Sequence, residues 1–239
     1  MNTVIVSGSA SGMGQATARH FAKRGWSVIG VDRSESDDTT VVADVTDRAG
    51  LDAGIRAALN HQERGHQERG HQERGGGTLK AVVSAAGIYP PTTLADYTDE
   101  TYRRVFDVNV LGTLNLCAVT APLLKAAGGG GIVTFASVDA LAVSPGQLVY
   151  SASKAAVLSL TRSLAIELAP DGITVNGVAP GWVDTPGNAA TGRMAGVAAT
   201  IPLRRVADPA EIAHWVYQLA QGTYVTGETL VVSGGSVMR

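Results

Sequence analysis

The chain has one cysteine, Cys117, so no disulfide can form within it. The residue lies among Leu114, Leu116 and Val119, with no histidine or basic cluster nearby in sequence to lower its pKa. That reads as a buried structural thiol rather than a nucleophile, and it fits a reducing compartment. Charge of neither sign accumulates: 19 Lys and Arg face 21 Asp and Glu, for a net charge of -2. There is no basic stripe for nucleic acid and no polybasic cluster for anionic lipid. No continuous apolar stretch is long enough to cross a bilayer. The N-terminus enters Val4-Ile5-Val6 without a basic region ahead of a long hydrophobic segment, which predicts a strand and not a signal peptide. Together these absences predict a soluble, cytoplasmic protein with no nucleic-acid or membrane partner, acting on small molecules.

What is present is a rhythm. Short Val/Ile-rich runs at 3–7, 27–32, 40–43, 79–84, 131–136, 173–178 and 228–232 alternate with helical patterns at 14–24, 48–59, 99–107, 110–125, 150–168 and 209–221. This predicts an α/β fold: a doubly wound, Rossmann-type parallel sheet of about seven strands with helices on both faces. A length of 239 residues suits a single domain over 1–239. Such folds bind ligands beyond the carboxyl ends of their strands.

One segment breaks the rhythm. Residues 61–75 read His-Gln-Glu-Arg-Gly three times in tandem. Glycine at every fifth position costs about 1 kcal/mol each in a helix, so a helix through the repeat would be weakly held. His61, His66 and His71 invite a metal-binding reading, but a five-residue period puts successive histidines on different helical faces, unlike an i, i+4 zinc pair. A surface insertion made by tandem duplication is expected, with no metal.

The candidate chemistry begins with Tyr150 and Lys154. Four residues apart on a helix, they share a face. A lysine beneath a phenol would favour phenolate and bring a group of reference pKa about 10 toward working pH, making Tyr150 a credible general base. Directly after the first strand comes Gly8-x-x-x-Gly12-x-Gly14, leading into a helix whose free N–H groups suit a pyrophosphate. Asp32 ends the second strand, where a carboxylate would accept hydrogen bonds from both hydroxyls of an adenosine ribose and repel a 2′-phosphate. That favours NAD over NADP, although Arg33 could turn toward such a phosphate.

With these residues in register the chain resembles the classical short-chain dehydrogenase/reductase family over essentially its whole length, the repeat excepted. The glycine loop, with Ser11 and Met13 inside it, matches that family, with Ser7 where threonine is usual. Asp44-Val45 resembles the pair that holds adenine. Ser84-Ala85-Ala86-Gly87 resembles Asn-Ala-Ala-Gly with its first residue changed, which puts the usual asparagine-mediated strand contact in question. Asn109-Val110-Leu111-Gly112 matches the segment that completes a catalytic tetrad, and Pro180-Gly181-x-x-x-Thr185, with Val183 inside it, matches the loop that contacts the nicotinamide carboxamide. The resemblance implies that Ser137 stabilises the substrate oxygen and that Tyr150 moves the hydroxyl proton. It implies further that Lys154 holds the nicotinamide ribose and lowers the tyrosine pKa, and that Asn109 anchors a water linking Lys154 to solvent.

The same resemblance places the substrate between residues 138–147 and a lid over 182–203. Val138, Gln147, Trp182 and Met194 are candidates to line it beside Ser137 and Tyr150, with Asp139 close in sequence but expected to face water. These segments imply a mainly apolar secondary alcohol or ketone, cyclic, aromatic or steroid-like, acted on with NAD. The competing readings are a 3-oxoacyl-carrier-protein reductase using NADPH, against which Asp32 argues, and a non-enzymatic dinucleotide sensor, which would be expected to lose the tyrosine or the lysine. Amphipathic helices at 110–125 and 150–168 resemble those that pair subunits in this family, implying a homotetramer or homodimer.

Overall fold

In β1 (Asn2–Ser7) Val4 and Val6 join the core on one face of the sheet and Ile5 the core on the other, as the two-residue period of a strand requires. All three are fully buried. A computed structural model, describing residues 1–68, 77–190, 192 and 194–238, sets β1 in a sheet with β2 (Ser27–Asp32), β3 (Val41–Val42), β4 (Thr78–Ser84), β5 (Gly130–Phe135), β6 (Ile173–Pro180) and β7 (Thr229–Val232). The order is β3-β2-β1-β4-β5-β6-β7, and every pairing is parallel. The expected doubly wound sheet is therefore present.

Helices α1 (Gly12–Ala22) and α8 (Pro209–Gln221) cover the Val4/Val6 face through Phe21, Ile212 and Val216. On the other face, α2 (Arg48–Glu68) and α4 (Gly112–Ala126) bring Leu51, Ile55, Leu116 and Leu124 against Ile5, Ile29 and Ile132, and α5 (Leu148–Leu168) joins them through Ala165. Each such buried side chain contributes about 1.5–3 kcal/mol, which fixes the layers that carry the site. Cys117 is inside this second core and buried, and burial pushes its thiol up to about 12.

Several elements differ from expectation for identifiable reasons. α1 starts at Gly12, inside the glycine loop, because the loop's last turn is already helical. α2 continues past residue 59 to Glu68, through the first copy of the repeat and into the second. Gln, Glu and Arg are good helix formers and offset the intervening glycine. The rest of the repeat, residues 69–75, including His71, lies outside the described residues. α3 (Asp99–Phe106) passes through a π-helical turn, Asp107–Leu111, directly into α4. The result is a run of 28 residues, Asp99–Ala126, long and apolar enough by composition to cross a membrane, contrary to the expectation that no such stretch exists. Half of its apolar window is buried inside the protein, as befits a helix covering a sheet. Two short helices, α6 (Pro186–Ala189) and α7 (Met194–Ala198), lie within the segment expected to form a lid.

The chain leaves β1 toward β2 and β3, then returns to place β4 on the other side of β1. This reversal opens a crevice beyond the carboxyl ends of β1 and β4.

Candidate active site

The crevice is lined by the glycine loop. Gly8 has φ +73°, and a side chain there would come within 2.8 Å of the Ala86 N–H in the loop after β4; a side chain on Gly14 would overlap the Gly8 carbonyl. The two loops are thus packed backbone to backbone, and Ser7 ties them: its Oγ accepts from the N–H groups of Ala85 (3.1 Å) and Ala86 (3.2 Å). Ser84 Oγ instead donates to Thr113 Oγ1 on α4 at 3.1 Å, so the sequence departure at Ser84 still ends in a buried interelement hydrogen bond. A cavity of about 530 Å³ results, lined by Gly8, Ser11, Gly12, Met13 and Gly14, by Asp32 and Arg33, by Asp44 and Val45, by Ala85, Ala86 and Gly87, and by Thr185. Asp32 accepts from Ala10 N at 3.1 Å and from Ser34 N at 3.0 Å, which holds its carboxylate at the crevice edge. A glycine-walled cradle next to a helix N-terminus fits a dinucleotide pyrophosphate.

Ser137 follows β5, and its Oγ accepts from Asp139 N at 3.1 Å, capping the 3₁₀ turn Val138–Ala140. It is close enough to Tyr150 to favour the phenolate, and both residues line one cavity. Lys154, only 5% exposed, donates from Nζ to the Phe135 carbonyl at 2.7 Å, and Nζ lies 5.7 Å from the centre of the Tyr150 ring. Asn109 sits in the π turn, with Oδ1 accepting from Ile88 N (2.8 Å) and Nδ2 donating to Ile88 O (2.9 Å) and Ser153 Oγ (3.0 Å). Both Asn109 Oδ1 and Lys154 Nζ lie beside Gly87.

The electrostatics differ from the expectation that lysine lowers the tyrosine pKa. Burial pushes the Tyr150 phenol well above its ordinary range; the Ser137 hydroxyl opposes this, while the Asp139 charge and Tyr89 push the same way as burial. Burial likewise lowers Lys154, to about 8. Desolvation outweighs the favourable cation because the ammonium is engaged with the Phe135 carbonyl and stands off from the phenol.

A second cavity, about 330 Å³, opens beside these hydroxyls and is lined by Ser137, Val138, Asp139, Gln147, Tyr150 and Trp182. Pro180, Gly181 and Thr185 line it too, joining it to the dinucleotide crevice, since Thr185 belongs to both. Asp139 does not simply face water as expected: it forms part of this wall and accepts from Ser144 Oγ at 2.5 Å. From the lid segment Val197, Thr200 and Ile201 contribute, while Met194, one helical turn earlier, is not among the lining residues. Val183 lines neither cavity; it is fully buried against the sheet, and its carbonyl accepts from Asn188 Nδ2 at 2.9 Å.

Residues 8–237 match the family model described as Enoyl-(Acyl carrier protein) reductase. Among curated relatives, the short-chain reductase protein NovJ of Streptomyces niveus is 33% identical over 98% of this chain and 93% of its own length. The 3-oxoacyl-[acyl-carrier-protein] reductase FabG of Thermotoga maritima is 33% identical over 98% and 97%. The chain belongs to the short-chain dehydrogenase/reductase family. As a member it is an oxidoreductase with a Rossmann-type nucleotide-binding fold. Among solved structures, L-sorbose reductase from Gluconobacter frateurii, complexed with NADPH and L-sorbose, superposes with a TM-score of 0.84, 26% identity, and coverage of 100% of this chain and 97% of that one.

One residue that sequence reasoning missed stands at the junction of the two cavities of this short-chain dehydrogenase/reductase. Tyr89 lines both and meets Tyr150 edge-on, ring centroids 5.9 Å apart. It follows Ala85-Ala86-Gly87 by two positions in an irregular stretch, and its neighbours come from distant segments, so no local pattern marked it. Thr92 was missed for the same reason: it pairs with Gln147 and accepts from Val149 N at 3.1 Å, tying the loop after β4 to the start of α5.

Proposed function

We propose that this chain is an NAD-dependent alcohol dehydrogenase or carbonyl reductase, in which Tyr150 takes the proton from a secondary alcohol during oxidation or returns it to a carbonyl during reduction. The observation that carries the reading is that Ser137 and Tyr150 line one cavity, which shares Met13, Tyr89 and Thr185 with the glycine-walled crevice. A substrate oxygen placed there would accept from Ser137 while the phenol handles its proton. NAD, when bound, accepts or supplies the hydride. Lys154 and Asn109, together beside Gly87, line the route by which a proton would leave Tyr150.

Asp32 at the crevice edge supports NAD. The NADPH of the L-sorbose reductase complex and the presence of Arg33 weigh the other way, and both dinucleotides belong in the assay. A substrate cavity near the lower end of the roughly 300–1,000 Å³ range of ligand pockets favours a small cyclic or aromatic alcohol over a steroid skeleton. The likeness to FabG keeps a 3-oxoacyl-carrier-protein reductase as the second reading. A cytoplasmic location is consistent with the lone buried thiol, and exposed apolar residues on α5, Leu148 and Ile166, support a dimer or tetramer.

The test is a spectrophotometric screen of secondary alcohols, ketones and a 3-oxoacyl thioester with NAD(H) and NADP(H), repeated with Tyr150→Phe. Turnover of alcohols with NAD, nearly abolished in the variant while dinucleotide binding persists, is the expected result. Full turnover by Tyr150→Phe removes the proton-transfer role, and preference for the thioester with NADPH selects the second reading.

A further inference from the structure

We infer that the turn after β7, Ser233–Val237, is the size-limiting wall of the substrate cavity, and that Val237 sets how large an alcohol is accepted; this rests on the hydride-transfer reading above. Ser236 and Val237 line that cavity, and neither lines the dinucleotide crevice. After β7 the described residues form no further helix or strand. The turn is nevertheless held in one shape.

That shape comes from Ser233. Its Oγ accepts from Val237 N at 3.2 Å and donates to Val237 O at 3.1 Å, so one hydroxyl holds both polar backbone groups of the valine. Ser236 Oγ and Ser236 N in turn donate to Ser233 O, at 3.1 and 3.3 Å. Gly234 and Gly235 make the reversal at φ +63° and +89°, a conformation that residues with a Cβ rarely adopt. Val237 is half-buried and is presented to the cavity on a backbone with little freedom. A side chain held in this way discriminates between ligands without reorganising.

The turn also joins two other parts of the cavity wall. On one side Gly181 N donates to Val232 O at 2.9 Å, and a side chain on Gly181 would come within 3.1 Å of Ser233 Cα. On the other, Leu203 N donates to Gly234 O at 3.2 Å; a side chain on Gly234 would come within 2.8 Å of Ile201 Cγ2, and one on Gly235 within 3.1 Å of Pro202. Gly181 and Ile201 themselves line the cavity. Contacts this close on both sides leave the turn little room to retreat, since packed protein interiors do not deform freely. A larger ligand therefore meets Val237 as a fixed obstacle.

With the reacting oxygen held at Ser137 and Tyr150, the other walls decide what the rest of the substrate can be. The cavity is about 330 Å³. One carbon more or less in an apolar pocket changes kcat/KM by about ten- to two-hundredfold, and valine carries two methyl groups. The substrate class that follows is a small ring without a branch on the side that meets the turn.

The experiment measures kcat/KM of the full-length protein for cyclohexanol, 3-methylcyclohexanol and 4-methylcyclohexanol, and for the corresponding ketones, with NAD(H) and with NADP(H). Wild-type protein is expected to favour the unsubstituted ring over at least one methyl homologue by roughly tenfold or more. Val237→Ala is expected to bring that ratio near one. Ser233→Ala, which frees the backbone of Val237, is expected to lower it part of the way, with dinucleotide affinity unchanged in both variants. A merely structural role would lower turnover of all three rings together and leave the ratio alone. The inference is overturned if wild type treats the three rings alike, a comparison that needs no variant to fold, or if Val237→Ala keeps the wild-type ratio; turnover in either case leaves the hydride-transfer reading standing. Absence of turnover of every ring with either dinucleotide overturns that reading for small cyclic alcohols, and this inference with it.

Discussion

The hydroxyl of Tyr89 rests against Gly187 so closely that a methyl group at position 187 would overlap it and come within 3.0 Å of Cζ. Tyr89 in turn stands edge-on to Tyr150. A glycine in α6 thereby sets the position of an aromatic ring that borders both cavities.

Gly187→Ala is expected to displace the end of the Tyr89 side chain rather than the backbone. Stability should change by less than about 1 kcal/mol, since the obstructing atom is the tip of a movable side chain. The kcat/KM should fall by roughly tenfold or more, as misplacement near reacting groups commonly does. Thermal unfolding and steady-state kinetics measured together check this; unchanged kinetics would separate Tyr89 from the site.

Lys154 predicts a pH signature in stability. Its folded pKa lies at about 8 against an ordinary 10.5, lowered by burial. Between those values the folded protein binds fewer protons than the unfolded chain, so this residue makes stability rise with pH across the window. Below pH 8 its burial costs about 3 kcal/mol. Lys154→Met should therefore gain on wild type most at pH 7 and progressively less toward pH 10.5, read by urea unfolding at both pH values. A stability difference that does not vary with pH would contradict the lowered value.

Asn109→Ala removes three hydrogen bonds at once and leaves the Ile88 N–H and carbonyl without their side-chain partner. The expected loss is about 3 kcal/mol of stability, accompanied by loss of turnover. If turnover falls while stability holds, the residue acts mainly on proton transfer and its bracing role is minor.

Asp32→Ser should lower the preference for NAD+ over NADP+ by at least about tenfold, because it removes a carboxylate that would face a 2′-phosphate. Dinucleotide affinities from fluorescence titration, taken for both cofactors, test it. An unchanged ratio would move the selectivity elsewhere in the crevice.

Much of this architecture could be read from local chemistry. The expected bounds of β2 and α8 coincide with those observed: Val28, Ile29 and Val31 make a β-branched run, and Asp208 and Glu211 form a reciprocal cap around Pro209. That the glycine loop, Asp32, Asp44 and Ala85 would line one crevice was legible because they lie at or just after the carboxyl ends of neighbouring strands. Three features were not. The π turn at Asp107–Leu111 has no sequence period of its own. The contacts of Tyr89 join segments far apart in the chain. The acidity of Tyr150 depends on how deeply the phenol is enclosed, which spacing to Lys154 does not encode; a motif names the partners but not the water removed from them.

The sheet is parallel, so both cavities open beyond the carboxyl ends of its strands, whereas Thr78 starts β4 at the opposite, amino end. The His-Gln-Glu-Arg-Gly repeat begins at His61 within α2, which runs to Glu68, and ends at residue 75, ahead of the strand that begins at Thr78. Among the described residues, none from the repeat lines either cavity, so a change in copy number is expected to leave both cavity walls as they are.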